Sequence, residues 1–229
     1  DGTAAIKLTG NELAQTLEGN AGANLLDGRG GADTLYGLAG NDTYLVDDAG
    51  DLVFETVGGG ADKVMASVSY ALTAGQEIEK LTTVSAAGTE AIALTGNGLV
   101  QTIHGSAGAN ILDGKGGADV LQGFGGSDSF LFSTTLGRDN VDRIVDFARG
   151  VDKIVLSAAI FDALPEGTLS AAAFKDVAQG ALDDTDRIVY DSRSGALSYD
   201  ADGSGAKAAI QFAVIDTKVV LTHTDLLVA

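Results

Sequence analysis

The sequence predicts an all-β protein in which short parallel strands stack in coils. Three observations support this prediction: glycine and an acid or amide recur every nine residues, the pattern occurs in two blocks, and one apolar residue keeps phase with it in every unit. Residues 20–46 and 106–132, which represent the two blocks, are identical at 16 of 27 aligned positions. Each unit buries a single apolar side chain, so neighbouring units must stack to form a core.

Each repeating unit is numbered here from its leading glycine. Positions seven to nine predict a very short strand whose eighth side chain points inward. Positions one to six predict a turn in which glycine supplies positive φ and close backbone approach. Because two units complete one coil, units two apart stack. The in-phase residues are Gly10, Gly19, Gly28, Gly37, Gly96, Gly105, Gly114 and Gly123 at position one, Gly22, Gly31, Gly40, Gly108, Gly117 and Gly126 at position four, and Leu17, Leu26, Leu35, Tyr44, Ile103, Leu112, Leu121 and Phe130 at position eight.

The first unit of each block departs from this pattern. Leu13 and Leu99 occupy position four, and Gln15 and Gln101 occupy position six. Terminal repeats are expected to be atypical, so we predict that these two units are capping turns.

Residues 47–96, between the blocks, are mostly of β type and predict further coils with looser loops and turns near residues 58–60 and 88. The nine-residue period fades from residue 133. The predicted organisation is a first block with its following coils at 1–95, a second block with closing strands at 96–160, and a C-terminal cap at 161–229.

The C-terminal part predicts an antiparallel β cap that contains a short helix. Residues 140–157 predict two strands around a turn at Gly150, and Ser170 is the expected N-cap of the short helix. Two hairpins are expected to turn at residues 194–195 and 202–205.

The charge and the cysteine content of the chain exclude several classes of partner and site. The formal net charge is −18, from 14 Lys and Arg against 32 Asp and Glu, which opposes binding to nucleic acid or anionic membranes. Either a bound divalent cation or a simple acidic surface is compatible with this excess. The absence of cysteine excludes disulfides and thiolate sites. No apolar run reaches the length of a membrane span, and no signal peptide or initiator Met begins the chain, so we expect a piece of a larger protein.

The repeated turns supply the ligands that calcium prefers. Ca²⁺ takes six to eight hard oxygen ligands, from carboxylates and backbone carbonyls, with flexible geometry. A turn of the type GGADxLxG offers carbonyls from its glycine-rich loop and one carboxylate, from Asp33 or Asp119. A single Gly-Asp turn is more typical of an ordinary tight loop. Eight phased units with in-phase apolar residues favour cation binding, with stacked turns sharing each ion.

The units resemble the glycine-rich nonapeptide G-G-x-G-x-D-x-U-x of RTX (repeats-in-toxin) proteins. The fullest matches are "GRGGADTLY", "GKGGADVLQ" and "GFGGSDSFL", and the segments "NDTYLVDDAGD" and "GALSYDADGSG" are also similar to RTX chains. The resemblance implies a parallel β-roll that binds several Ca²⁺ ions through position-six carboxylates and loop carbonyls. It also implies a secreted, extracellular protein exported by a type I secretion apparatus.

The candidate calcium ligands fall into three groups. The position-six side chains are Asp33, Asp42, Asp119, Asp128, Asn24 and Asn110. The loop residues are Gly19, Asn20, Gly22, Gly28, Arg29, Gly31, Gly37, Gly40, Gly105, Ser106, Gly108, Gly114, Lys115, Gly117, Gly123 and Gly126. Asp142, Asp146 and Asp152 are spaced to close the last turns, although a solvated strand face explains each equally well. Sites that use Asn24, Asn110, Gln15 or Gln101 are expected to be weaker or absent.

Other constellations carry less information. The sequence contains no H-E-x-x-H, G-x-S-x-G or P-loop motif, so we expect any catalytic domain to precede residue 1. His104 and His223 are expected to be surface or strand residues. "DADGSG" at 200–205 resembles an EF-hand start, but Gln211 stands where the closing Glu is needed, which favours a hairpin turn. The terminal "DLLVA" resembles a type I export signal, and we expect it to serve export and not folding.

Together with the resemblance to RTX proteins, these observations predict a calcium-binding module that folds on Ca²⁺ binding outside the cell and supports type I secretion of a larger protein. The alternative is a Ca²⁺-stabilised adhesin or polysaccharide-binding module, which a contiguous aromatic or basic groove would favour. An enzyme with an unrecognised site is a third possibility, and activity against a panel of hydrolase substrates would reveal it.

Overall fold

A computed structural model of the chain describes residues 2–203 and 205–229. These residues contain 22 strands and two 3₁₀ turns. The strands of the first half are β1 (Lys7–Thr9), β2 (Thr16–Glu18), β3 (Leu25–Asp27), β4 (Thr34–Leu38), β5 (Thr43–Val46), β6 (Leu52–Glu55), β7 (Lys63–Ala66), β8 (Tyr70–Ala71), β9 (Lys80–Thr83), β10 (Ala93–Thr95) and β11 (Thr102–Ser106). The others are β12 (Ile111–Asp113), β13 (Val120–Phe124), β14 (Ser129–Phe132), β15 (Asp142–Ile144), β16 (Lys153–Leu156), β17 (Gly167–Thr168), β18 (Phe174–Asp176), β19 (Ile188–Asp191), β20 (Ala196–Tyr199), β21 (Ile210–Ile215) and β22 (Leu226–Val228). The 3₁₀ turns are Ala171–Ala173 and His223–Asp225.

The strands alternate between two layers, as expected if two nine-residue units complete one coil. The odd-numbered strands β1 to β15 form one sheet in sequence order, which β21, β20, β19 and β18 extend. The even-numbered strands form the opposite layer, with β2, β4 and β6 in one sheet and β8 to β16 in another. Within both blocks the neighbours pair in parallel, 18 residues apart, as for Leu8 with Leu26 and Leu17 with Leu35. The predicted parallel β-roll is therefore confirmed.

The position-eight side chains form the core of the roll. All eight are buried and belong to one contiguous cluster of apolar residues. The segment between the blocks continues this column with Val53, Val64, Leu81 and Leu94, which confirms that it consists of further coils. The stacked side chains supply the apolar burial that a single unit cannot provide.

Glycine at position four has the backbone conformation that the sequence predicts. In the turns that contain aspartate, φ is +94° at Gly31, +116° at Gly40, +102° at Gly117 and +103° at Gly126. A Cβ at Gly40 would also lie 2.6 Å from the carbonyl oxygen of Gly22 in the preceding coil. Side chains are therefore excluded there both by conformation and by space.

Position two of the same turns is also left-handed, which the sequence does not predict. The residues are Arg29, Leu38, Lys115 and Phe124, with φ between +62° and +81°. Residues other than glycine are uncommon in this region and carry strain, so the surrounding structure must hold them there.

The C-terminal part forms the predicted β cap. The strands β19, β20 and β21 are antiparallel neighbours, and the hairpin that turns at 194–195 is confirmed. The second hairpin connects β20 to β21, although Ser204 lies outside the described residues. The short helix is a single 3₁₀ turn with Ser170 at its N-cap, as predicted, although the Ser170 side chain makes no capping hydrogen bond.

The apolar residues at the end of the chain form a strand inside a sheet. β22 pairs with β16 on one side and with β17 on the other, and Leu226 and Val228 are buried. The expectation that "DLLVA" serves export and not folding is therefore wrong for folding, because this segment contributes to the core. Within the described residues, no helix is long and apolar enough to cross a membrane.

Candidate metal sites

The position-six side chains form ladders along both edges of the roll. One carboxylate oxygen of each aspartate accepts a hydrogen bond from the backbone N–H of the residue 18 positions earlier, at position six of the preceding coil. The donor and acceptor pairs are Gln15 N to Asp33 Oδ1 at 2.8 Å, Asn24 N to Asp42 Oδ1 at 2.6 Å, Gln101 N to Asp119 Oδ1 at 2.6 Å, and Asn110 N to Asp128 Oδ1 at 2.8 Å. Each aspartate therefore joins two coils through a direct hydrogen bond.

The second oxygen of three of these aspartates has no partner. Asp33, Asp42 and Asp119 are each 1% exposed, and within the described residues their Oδ2 atoms accept no hydrogen bond. Buried polar atoms are nearly always paired, so an orphaned carboxylate oxygen is suited to accept a cation or a water molecule as its partner. These oxygens lie directly over the leading glycines of their own turns, where any Cβ would overlap them.

Backbone carbonyls face the leading glycines of the capping turns. A Cβ at Gly10 would lie 2.6 Å from the carbonyl oxygen of Gly28, and a Cβ at Gly96 would lie 2.6 Å from that of Gly114. The leading glycines therefore keep open a space between one turn and the next. Free carboxylate oxygens lie beside the leading glycines of the aspartate turns, and glycine carbonyls lie beside those of the capping turns. Hard oxygen donors of both kinds fit Ca²⁺.

Burial makes the charged form of the carboxyl groups of Asp42, Asp119 and Asp128 unfavourable. It raises the pKa of Asp119 to about 8 and that of Asp128 to about 6, from an ordinary value of 3.8. Burial also raises the pKa of Asp42. The four ion pairs within the described residues involve other carboxylates, so no Lys or Arg compensates these three. A divalent cation would compensate them and favour the ionised form.

The turns that carry asparagine are closed by their own hydrogen bonds. Asn24 Oδ1 accepts from Asn20 N at 2.7 Å, and Asn24 Nδ2 donates to Asn20 Oδ1 at 3.1 Å. Asn110 likewise accepts from Ser106 N at 2.6 Å and donates to Ser106 Oγ at 3.3 Å. The amide thus fills the space beside Gly19 and Gly105. This geometry favours the prediction that these turns bind calcium weakly or not at all.

The capping glutamines Gln15 and Gln101 also close their own turns through hydrogen bonds. Gln101 Oε1 accepts from Asn97 N at 3.1 Å, and its Nε2 donates to Asn97 Oδ1 at 2.9 Å. Gln15 donates to the carbonyl oxygen of Asn11 at 3.0 Å. Both side chains therefore bond within their own turns.

The three later aspartates do not have equivalent roles. Asp142 and Asp152 extend the ladders by one coil, since their Oδ1 atoms accept from Asp119 N and Asp128 N, each at 3.0 Å. The second oxygen of Asp152 accepts from Ala148 N at 2.7 Å. Asp146 stands apart from the ladders.

Asp146 binds the backbone of a repeat turn. Its two oxygens accept from Gly123 N at 3.0 Å and Phe124 N at 2.8 Å. In this structure it therefore caps that turn. Lys115, another candidate ligand, has a left-handed backbone conformation. Its ammonium group forms an ion pair with Asp113, at an N–O distance of 3.0 Å.

The ladders also contain acids that the sequence analysis missed. Asp51 accepts from Asp33 N at 2.8 Å, Asp62 from Asp42 N at 2.7 Å, and Glu79 from Asp62 N at 2.6 Å. Asp51 lies nine residues after Asp42, so the repeat period alone could have revealed it. Asp62 lies eleven residues after Asp51, and this change of spacing hides it from a search for a fixed period.

The comparison with known families agrees with this geometry. Residues 9–44 and 96–132 match the family model of the RTX calcium-binding nonapeptide repeat, in four copies. The match covers both blocks. Asp51, Asp62 and Glu79 lie between the two matched ranges. No curated protein matches the chain.

Proposed function

Because the chain carries RTX calcium-binding nonapeptide repeats, we propose that it is a module whose folding is coupled to Ca²⁺ binding outside the cell. In this proposal several Ca²⁺ ions occupy the edges of the β-roll, and the module supports type I secretion of a larger protein. The observation that carries the proposal is the set of buried carboxylate oxygens without partners at Asp33, Asp42 and Asp119.

The coupling follows from the cost of burying uncompensated charge. Without a cation, ionised carboxylates that enter the turns lose hydration and repel one another, so the extended chain is favoured. Extracellular calcium modules have dissociation constants of roughly 10⁻⁴–10⁻³ M. Calcium at millimolar concentration therefore fills such sites and stabilises the roll by mass action.

This coupling also explains how one sequence can serve secretion. A chain that stays extended where calcium is scarce remains able to pass through a narrow channel, and it folds where calcium is abundant. The net charge of −18 and the absence of cysteine fit such a role, because neither charge neutralisation nor disulfides stabilise the chain before export.

Calcium titration of the whole chain tests the folding part of the proposal. Far-UV circular dichroism in calcium-free buffer should show little β signal, and addition of Ca²⁺ should produce the spectrum and a cooperative melt. Mg²⁺ at the same concentration is the control, since its smaller octahedral shell fits these carbonyl-rich turns poorly. A full β spectrum with the same melting temperature in calcium-free buffer would refute the coupling.

A substitution in β22 tests the export part. Leu226 and Val228 are buried whereas Leu227 is partly exposed, so Leu227→Ser changes the terminal apolar run and leaves the core contacts in place. Export from bacteria that carry a type I apparatus should fall, while calcium-dependent folding should persist. Unchanged export would exclude this run as the signal.

One observation favours polysaccharide binding as a second function. A cleft of about 210 Å³ on the long sheet is lined by Lys63, Lys80, His104 and Phe124 among others, a basic and aromatic group in an acidic protein. Such residues fit an anionic polysaccharide. Calcium-loaded protein should then bind an anionic polysaccharide but not a neutral dextran, and Lys80→Gln should weaken this binding. Equal retention on both polymers would exclude this function.

A further inference from the structure

Three carboxylates converge where the nonapeptide pattern ends. Asp42, Glu55 and Asp62 each place one oxygen within 4.8 Å of the oxygens of the other two. Asp42 and Asp62 are almost fully buried, at 1% and 2% exposure, and Glu55 is partly buried. Asp42 belongs to the repeats, whereas Glu55 and Asp62 lie beyond the residues that match the RTX repeat.

The local sequence explains how these side chains meet. Asp42 precedes β5, and Asp62 precedes β7, its parallel neighbour one coil later. Glu55 ends β6 in the opposite layer, beside Leu38 in the register of β4 and β6. In the intact repeats, glycine follows the strand, so no side chain enters the turn at this point. The stretch "ETVGGGAD" begins with glutamate instead, which brings a third carboxylate to the edge.

The oxygens of this group lack sufficient partners. Asp42 Oδ2 and Asp62 Oδ2 are buried and, within residues 2–203 and 205–229, accept no hydrogen bond. The Tyr44 hydroxyl donates to Glu55 Oε1, and Thr56 N donates to Glu55 Oε2 at 3.3 Å. In the same described residues, no Lys or Arg forms an ion pair with any of the three acids. Three acids this close repel one another unless a cation joins them.

We propose that Asp42, Glu55 and Asp62 form a divalent-cation site, suited to Ca²⁺, that is built from side chains and is not encoded by the nonapeptide repeat. Three carboxylates give this site more negative charge than a turn that offers one carboxylate and carbonyls, and ligand charge tunes calcium affinity. Tyr44 is a positioning residue, since its hydroxyl holds one oxygen of Glu55.

The site has a structural consequence for the roll. β5 and β7 belong to the long sheet, and β6 belongs to the three-stranded sheet opposite. An ion held by Asp42, Glu55 and Asp62 therefore links the two layers at one edge, where the regular block gives way to coils with longer loops. The ion fastens the last regular turn to the first irregular one.

Terbium luminescence provides a selective probe. Tb³⁺ replaces Ca²⁺ at oxygen sites, and nearby tyrosine sensitises its emission. The chain has no tryptophan and five tyrosines, and the Tyr44 hydroxyl directly contacts a proposed ligand. Tyrosine excitation of the Tb³⁺-loaded whole chain should therefore give strong emission that excess Ca²⁺ removes. Tyr44→Phe removes both the nearest sensitiser and the hydroxyl that holds Glu55, so it should remove most of the emission.

The decisive variant is Glu55→Gln, with Glu18→Gln as the matched control. Glu18 ends β2 and is exposed, so its replacement removes the same charge without affecting the cluster. Glu55→Gln should lose one Ca²⁺ ion from the calorimetric count, or weaken one site on the order of tenfold. It should also lose the sensitised emission. The Glu18→Gln protein should match the wild type in both measurements.

The outcomes separate this inference from the proposed function, on which it rests only for the identity of the ion. Equal ion count, affinity and emission in Glu55→Gln and Glu18→Gln would overturn the inference alone, as would unchanged emission in Tyr44→Phe. A wild-type chain that binds no Ca²⁺ would overturn both. If Glu55→Gln does not fold, Glu55→Asp keeps the charge on a shorter side chain. Its weaker ion binding would then support the site, and unchanged binding would refute it.

Discussion

At position six of each unit, aspartate and asparagine share a shape and differ in one terminal atom. The aspartates join the preceding coil through Oδ1, and at Asp33, Asp42 and Asp119 this leaves Oδ2 free. The amide nitrogen of Asn110 instead donates to the position-two side chain of its own turn, Ser106. A turn with aspartate therefore needs a partner from outside, and a turn with asparagine does not.

Replacement of aspartate by asparagine in one turn is expected to change how far the stability of that turn depends on calcium. In Asp119→Asn the new amide donor has no side-chain acceptor at position two, which is Lys115. With Ca²⁺ present, thermal unfolding should show a loss of about 1–3 kcal/mol from the unpaired group and the lost ligand. Addition of Lys115→Ser recreates the pair found at Ser106 and Asn110 and should restore part of this stability under the same conditions. No difference between the single and double variants would contradict the explanation.

The raised pKa values predict that protonation of the buried carboxyl groups at low pH partly replaces the stabilisation that calcium provides. The folded-state pKa is about 8 for Asp119, about 7 for Asp142 and Glu55, and about 6 for Asp128 and Asp62, all above the ordinary values of 3.8 for Asp and 4.5 for Glu. The folded state therefore binds protons more tightly than the unfolded chain. The stabilisation from these protonated groups is complete at pH below their ordinary pKa values and is lost as the pH rises through their folded-state pKa values of about 6 to 8.

Melting curves at two pH values test this relation. In calcium-free buffer the roll should be more stable at pH about 5 than at pH about 8, because the buried carboxyl groups are then protonated. With millimolar Ca²⁺ the order should reverse, because the ion binds the ionised form and protons compete with it. Calcium-free stability that rises with pH over this window would show that burial does not control these groups.

At the scale of the element, a turn depends on an empty space beside its leading glycine. In the turn from Gly114 to Asp119, a Cβ on Gly114 would overlap Asp119 Oδ2. A Cβ on Gly116, in the same turn, would meet only the Cα of Gly98 at 3.5 Å, which is ordinary contact. The two glycines thus differ in function although they lie two residues apart.

The pair Gly114→Ala and Gly116→Ala tests this difference. Gly114→Ala should displace the carboxylate, abolish calcium binding at this turn and lower stability by about 1–3 kcal/mol through overpacking. Gly116→Ala should change stability by less than about 1 kcal/mol, since no atom has to move. Calcium titration with thermal unfolding measures both effects. Similar losses in the two variants would mean that glycine serves only backbone freedom here.

The sequence predicts the regular elements well because one residue decides each of them. The eighth residue fixes the inward face of a strand, and glycine at position four fixes the left-handed turn. The left-handed backbone at Lys115 was not predictable, since lysine has no preference for it and only the stacked coils impose it. The proximity of Glu55 to Asp42 was also not predictable from the sequence, because it depends on the register between two layers and not on a period along the chain.

For the whole molecule, further strands cover the C-terminal side of the second block. β13 and β14 of this block are followed by β15 and β16. β21 and β22 then cover β15 and β16. Unpaired strand edges are sites of fraying and association. The second block is therefore stabilised through a succession of neighbours that reaches the end of the chain.

Two truncations test this dependence and the proposed boundary between residues 160 and 161. Removal of 133–229 takes away β15 and β16, and with them Asp142 and Asp152, which accept hydrogen bonds from the backbone of Asp119 and Asp128. Residues 96–132 should then stay unfolded even in saturating Ca²⁺, because four units bury only four inward side chains. Removal of 161–229 alone keeps this first covering layer, so the second block should still fold with calcium, with lower stability.

Hydrogen exchange in saturating Ca²⁺ distinguishes these states, since it reports protection residue by residue. Amides of β12 to β14 should be unprotected in the shorter chain and protected in the longer one. The amides of β3 and β5 in the first block should remain protected in both, because their stacking partners are retained. Full protection of β12 to β14 after removal of 133–229 would show that calcium alone holds the second block. Loss of protection in both blocks at once would show that the roll folds as one cooperative unit, since the long sheet runs unbroken from β1 to β15.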